Sequence, residues 1–376
     1  MEFTTQHFIA LAPMLITTIT TVVVMLAIAW KRKHSQTYLL STIGLNLALL
    51  SILPALKVAP LAVTPLITID QFACLYMAIM LVATLACVTL AHAYLGEGSK
   101  GYPGNREELY LLLLMSALGG LVLVSANHLA GLFIGLELLS VPVYGLVAYA
   151  FFNKRSLEAG IKYMVLSAAG SAFLLFGMAL LYADAGSLSF DGIGKALAST
   201  GMPSLLAQLG LGMMLVGLAF KLSLVPFHLW TPDVYEGAPA PVAAFLATAS
   251  KVAVFAVMVR LFQISPAASS GVLSDVLTII ATSGLVFGSV YSLIMIHRAY
   301  FGPAKSDAVL HGMDGRELIM VVGLAALLIY IGVYPQPFLD TSAATMHGVQ
   351  QWLGTCLLYT SPSPRDLSTS RMPSSA

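Results

Sequence analysis

The chain has 376 residues, of which 58% are hydrophobic and only 9% charged, with a formal net charge of +1. Soluble domains carry roughly 25% charged residues, so this composition and a mean hydropathy of +0.89 place the chain in a membrane. The near-neutral balance excludes broad electrostatic binding of nucleic acid. Cys74, Cys87 and Cys356 follow no metal-ligand or CxxC spacing, which speaks against a disulfide or redox centre.

A membrane helix needs about 20 mostly apolar residues. Ten stretches meet that need in chain order: 8–30, 39–57, 71–95, 109–126, 129–151, 161–182, 205–227, 241–262, 274–296 and 317–334. The first is too long for the apolar part of a signal peptide and reads as a span. The predicted fold is all-α, a polytopic transmembrane helix bundle of about ten spans with a broken seventh helix. Only Asn127 and His128 separate the fourth and fifth spans, which predicts a tight hairpin. Gly, Pro and charge mark the longer breaks at 96–108, 183–203 and 297–316.

Basic residues in the loops set orientation. Lys31, Arg32, Lys33, Lys100, Arg106, Lys154, Arg155, Arg298, Lys305 and Arg316 fall in one alternating set of loops, against Lys57 and Lys195 in the other. The rich side is read as cytoplasmic, which puts the N-terminus outside. The stretch KLSLVPFHLWTPDVYEGAPAP, from Lys221 to Pro241, holds four prolines. They cannot share one continuous helix, because each removes a donor and clashes with the preceding turn. The seventh span is therefore expected to break just after Lys221. Irregular backbone at membrane depth is tolerated where it is buried in protein or lines a cavity.

Three charges lie inside apolar runs: Glu137, Lys221 and Lys251. A charge at the bilayer centre costs about 2.5–3.5 kcal/mol on insertion scales, and such groups mark ion or proton paths. Glu137, five residues before Pro142, reads either as a neutral carboxylic acid bonded to a neighbouring helix or as a titratable partner of a lysine. Lys221 is too deep in its run to snorkel. Burial favours a neutral lysine and a nearby carboxylate the charged one, so a lysine between those effects can take up and release a proton. A permanent ion pair with Glu137 is the alternative. Lys251 lies among Ala247, Ala249 and Ser250, which leave room for water. Lys162 reads as an anchor or a relay member. His228, in the broken stretch, reads as a carrier between the two lysines or as a hydrogen-bonded cap. Arg260 reads as an interface anchor, Asp233 and Glu236 as a solvated loop, and GLFIG from Gly131 to Gly135 as a close helix contact.

The segments SANHLAGLFIGLELLSVPVYGLVAY, KRSLEAGIKYMVLSAAGSAFLLFGMAL and FKLSLVPFHLWTPDVYEGAPAPVAAFLATASKVAVF closely resemble the antiporter-like proton-translocating subunits of bacterial NADH-quinone oxidoreductase, respiratory complex I. The match is best to the subunit N type and covers residues 1 to about 280. The resemblance implies that Glu137 pairs with Lys221 and that Lys251 continues a central polar axis. It implies a multi-pass subunit of the bacterial inner membrane, in lipid beside other complex I membrane subunits. Quinone, NADH, FMN and iron–sulfur clusters would belong to partner subunits, with no cofactor and no metal in this chain. In keeping with that, no GxGxxG fingerprint follows a strand and no cysteine cluster exists.

The sequence departs from that pattern twice. From about Ser283, GLVFGSVYSLIMIHRAYFGPAKS and the text to about residue 354 look like the C-terminus of the subunit M type. Family members have two inverted repeats; here most of the second is absent, including the later helix whose ionisable residue completes the outward half-channel. The tail TCLLYTSPSPRDLSTSRMPSSA is polar and without periodicity, hence disordered by composition, and it resembles translated sequencing-adapter text. The expected division is 1–282 for the antiporter-like module, 283–354 for a transmembrane hairpin and 355–376 for a non-native tail. Two further readings stand beside a complex I subunit: a cation/proton antiporter, alone or in a multisubunit exchanger, and an inactive chimeric reading frame.

Overall fold

The computed structural model describes residues 4–96, 104–199 and 204–263, with isolated helical positions between 315 and 330. Apolar runs become helices because hydrocarbon offers no partner for a free backbone amide, so each span must satisfy its own. In chain order these are α1 (Thr5–Trp30), α2 (His34–Leu50), α3 (Ile52–Val58), α4 (Gln71–Leu95), α5 (Glu108–Ser125), α6 (Leu129–Val147), α7 (Lys154–Ala185), α8 (Phe190–Ser199), α9 (Leu205–Leu222), α10 (Trp230–Gly237), α11 (Ala240–Ala247) and α12 (Ala249–Gln263). Among the described residues, eight helical stretches are long and apolar enough to cross a membrane, with α2–α3 and α11–α12 each counting as one. They coincide with the first eight expected spans. The span expected at 274–296 lies outside the described residues, as does most of 317–334, and with them the join near 283 and the tail.

Helix ends follow local chemistry. Asp70 caps α4 by accepting the Ala73 amide at 2.7 Å, and Ser204 caps α9 by accepting from Ala207 at 3.1 Å. The hydroxyls of Thr17, Thr20 and Thr21 in α1 return to carbonyls one turn back, at 2.7–2.8 Å. Gly186, at φ 63°, ends α7 in the left-handed conformation. The hairpin expected at Asn127–His128 joins α5 to α6. Glycine lets these two helices meet: a Cβ on Gly135 would fall 2.7 Å from the Leu123 nitrogen. The same device closes α7 on α9, where a Cβ on Gly177 would fall 2.5 Å from the Gly210 carbonyl. This second approach carries the polar face of α7 to the end of α9.

Several expectations need correction. The segment between the second and third spans holds a two-stranded antiparallel ribbon, β1 (Leu61–Thr64) with β2 (Ile67–Ile69). It covers the α5–α6 hairpin, where the Asn127 side-chain amide donates to Thr68 Oγ1 at 2.5 Å. The break at 183–203 contains α8, which buries Phe190, Ile193 and Leu197 and exposes an Asp191–Lys195 pair. The seventh span stops at Leu222 rather than 227, as the proline break foretold. The eighth is itself interrupted at Thr248, whose φ −114°, ψ −82° separates α11 from α12. Asp233 and Glu236 stand on α10, not on a loop.

Candidate functional site

Three helices, α6, α7 and α9, converge on Lys221. It lies in the last turn of α9, and its residue is 5% exposed. The ammonium donates to Ser140 Oγ of α6 at 2.7 Å and to Ser167 Oγ of α7 at 2.6 Å. One turn further along α7, Ser171 donates to Glu137 Oε1 at 2.6 Å. No ion pair among the described residues joins Glu137 to Lys221. In place of a direct pair, Lys221 is held by hydroxyl groups of α6 and α7, and Glu137 by a hydroxyl of α7. A buried cation held by neutral oxygens has its hydrogen bonds satisfied without a fixed counter-charge.

Lys251 occupies the first turn of α12, immediately behind the break at Thr248. Its Nζ donates to Ser223 Oγ at 2.7 Å and to the Leu222 carbonyl at 3.0 Å. Those acceptors belong to the C-terminal end of α9, where unpaired carbonyls and the helix dipole favour a cation. Ser223 takes φ 60°, so the chain turns left-handed there. The sequence placed Lys251 as the next station after Lys221, and the fold anchors it to residues 222 and 223.

Sequence reasoning passed over Trp230 and Tyr144. Trp230 Nε1 donates to the Phe220 carbonyl at 3.1 Å, and its ring lies 4.9 Å from Tyr163, 5.3 Å from Phe220 and 5.8 Å from Lys251 Nζ. It therefore touches the backbone beside one lysine and faces the other. A tryptophan set among four prolines was the available signal. Tyr144 Oη lies 2.9 Å from Ser167 Oγ, which extends the hydroxyl group around Lys221 toward the end of α6.

The remaining expected residues lie outside this cluster. His228 sits in the turn between α9 and α10, with Nδ1 buried and no hydrogen bond to Lys221 or Lys251 among the described residues. A direct carrier contact between the lysines is thus not formed. Lys162 is exposed and pairs with Glu158 at 2.6 Å and Asp233 at 2.8 Å. With Arg155–Glu236 at 2.6 Å, this clasps α10 to α7 around a cleft of about 250 Å³. Arg260 is no interface anchor. It is 9% exposed, donates to the Val124 carbonyl at 2.9 Å and to Asp70 Oδ1 at 2.6 Å, and lies over Phe72.

Residues 126–297 match the family described as NADH:quinone oxidoreductase/Mrp antiporter, transmembrane. The chain is 71% identical over 294 residues to NADH-quinone oxidoreductase subunit N of Ectopseudomonas mendocina, covering 78% of this chain and 59% of that protein. It thus spans about three-fifths of that relative's length. Among solved structures, respiratory complex I from Thermus thermophilus contains a chain 30% identical, with a TM-score of 0.61 over 82% of this chain and 61% of the other. The archaeal membrane-bound sulfane sulfur reductase matches at 23% identity and TM-score 0.59, over 73% of this chain and 57% of the other. The Mrp complex of a Dietzia species matches at 20% and 0.55, over 69% and 49%. These last two share the fold.

Proposed function

We propose that this multi-pass chain, whose residues 126–297 match the NADH:quinone oxidoreductase/Mrp antiporter transmembrane family, translocates protons as a membrane subunit of an NADH-quinone oxidoreductase. The observation that carries the reading is Lys221, buried at 5% exposure on two neutral serine oxygens. Among the described residues no carboxylate is bonded to it, so a change of charge at nearby Glu137 can tip it between its two states.

In this account a proton enters on the side of the Lys- and Arg-rich loops, assigned as cytoplasmic, which leaves the N-terminus outside. It loads Lys221, and Lys251 is the next station because both lysines meet at the end of α9. Lys162 and His228 flank the route, Lys162 at its charged mouth and His228 in the turn beyond Leu222. The chain sits in the bacterial inner membrane beside other complex I membrane subunits. NADH, FMN, the iron–sulfur clusters and quinone reside in partner subunits, and their redox chemistry drives the lysines from a distance. The outlet completed by the second repeat is the part this chain replaces after about residue 283.

A cation/proton exchanger is the second reading, favoured by the family's description, which spans Mrp antiporters as well. The two separate on coupling. Vesicles with Glu137→Gln should lose NADH-driven proton translocation at unchanged assembly. Sodium-dependent proton exchange in vesicles free of the oxidoreductase supports the exchanger instead.

A further inference from the structure

We propose that Ser167 and Tyr144 form a hydroxyl wire that loads and unloads the proton of Lys221, and that this wire admits protons while excluding metal cations. The proposal rests on the proton-relay reading and names the atoms that serve it.

The two serines that hold Lys221 are not equivalent. Ser140 accepts from Nζ at 2.7 Å, but its own hydroxyl hydrogen goes to the Leu136 carbonyl at 2.6 Å. That hydrogen is committed to the α6 backbone, so Ser140 can only accept. Ser167 is 2.6 Å from Nζ and 2.9 Å from Tyr144 Oη, and these are its two partners among the described hydrogen bonds. Its hydroxyl can accept on one side and donate on the other, which proton hopping requires. Ser167 is fully buried, whereas Tyr144 is only partly buried, one turn from the end of α6. The pair therefore spans from the sealed interior to a group one turn from the end of the α6 span. The ring of Tyr163, 5.5 Å from that of Tyr144 and edge-on to it, fixes the phenol on this path.

The transfer balances without any other reactant than water. The neutral Lys221 amine takes the Ser167 hydroxyl proton as that O–H bond breaks. The Ser167 oxygen takes the phenol proton of Tyr144, and the phenol oxygen takes one from hydronium at the surface of the cluster. One proton moves from water to Nζ, and rotation of both hydroxyls resets the wire. Unloading is the reverse. A sodium or potassium ion cannot follow, because it must carry its own coordination shell through a fully packed serine.

The test uses membranes containing the assembled oxidoreductase, with Tyr144→Phe, Ser167→Ala, Ser167→Thr and Lys221→Ala. Translocation rate, its slowing in deuterium oxide and the amount of assembled complex are read together. Tyr144→Phe and Ser167→Ala should each slow translocation by about tenfold or more at wild-type assembly and change the deuterium effect. Ser167→Thr, which keeps the hydroxyl, should restore most of the rate. If both slow variants instead match wild type while Lys221→Ala abolishes translocation, the wire is wrong and the relay stands. If Lys221→Ala also translocates normally, the relay reading fails and the wire with it. Should Ser167→Ala fail to assemble, Tyr144→Phe decides alone, since it removes one partly exposed oxygen.

Discussion

Lys251 is bound to the residue next to Lys221: its ammonium donates to the Leu222 carbonyl at 3.0 Å. Two cations in an apolar bundle thus share one helix end, the frayed C-terminus of α9. The break after Leu222 is what makes this possible. A continuous helix would have spent that carbonyl on an amide four residues on, and Lys251 would have had no backbone acceptor there.

Ser223 supplies the second acceptor at 2.7 Å and does so from a left-handed backbone, φ 60°. Such a conformation costs a non-glycine residue of order 1–3 kcal/mol. Ser223→Gly should therefore leave the thermal midpoint unchanged or raised while slowing proton translocation. A variant that melts normally and translocates at the wild-type rate contradicts a role for the hydroxyl.

The α7–α9 contact sets the distance from the serines to Lys221. Gly177→Ala places a methyl group 2.5 Å from a backbone oxygen that cannot swing aside. Overpacking of this kind costs about 1–3 kcal/mol. Thermal unfolding in detergent should show a lower midpoint, and translocation should fall with it. An unchanged midpoint shows that the helices can part without cost.

Arg260 ties α12 to the cap of α4 and the last turn of α5. Arg260→Leu strands the Val124 carbonyl and Asp70. Removing one partner of a buried pair costs 3–5 kcal/mol, and because Asp70 is 31% exposed the expected loss is discounted to about 2 kcal/mol. Asp70→Asn should cost less, since the amide oxygen still accepts. Equal effects of the two variants contradict this ranking.

His128 caps α6, its Nδ1 accepting the Ala130 amide at 3.1 Å. Burial pushes the imidazole below its ordinary value of 6.5, and accepting this bond likewise requires the neutral ring. The unfolded chain then binds the proton more readily than the folded one, so stability is complete above the ordinary value. It declines as pH falls below that value toward the lowered one. His128→Asn, which caps without titrating, should flatten the decline when thermal midpoints are compared across the acid range. An identical acid-side slope in both proteins contradicts the assignment.

Much of this architecture could be read from the sequence because the bilayer leaves few options. Long apolar runs had to be helices, four prolines after Lys221 had to break one, and buried charges had to face inward. Other features carry no such mark. The ribbon at residues 61–69 has only three residue pairs, and its role is visible only once Asn127 meets Thr68. The break at Thr248 has neither glycine nor proline. Ser167 and Ser171 sit in the run LSAAGSA, which reads as small residues for packing; the partners that give them chemistry lie on α6 and α9. Arg260 looked like an anchor because it ends an apolar run, whereas the groups that satisfy it, Asp70 and Val124, are remote in the chain. The resemblance implies a pairing of Glu137 with Lys221, but the serine hydroxyls that each of them contacts needed the three-helix geometry.

The central claim is that Lys221 carries the translocated proton. The direct measurement is NADH-driven proton translocation in vesicles containing the assembled oxidoreductase with Lys221→Ala, normalised to the amount of complex. The account predicts a fall of about tenfold or more with the complex intact. Translocation at the wild-type rate by a fully assembled Lys221→Ala complex contradicts it.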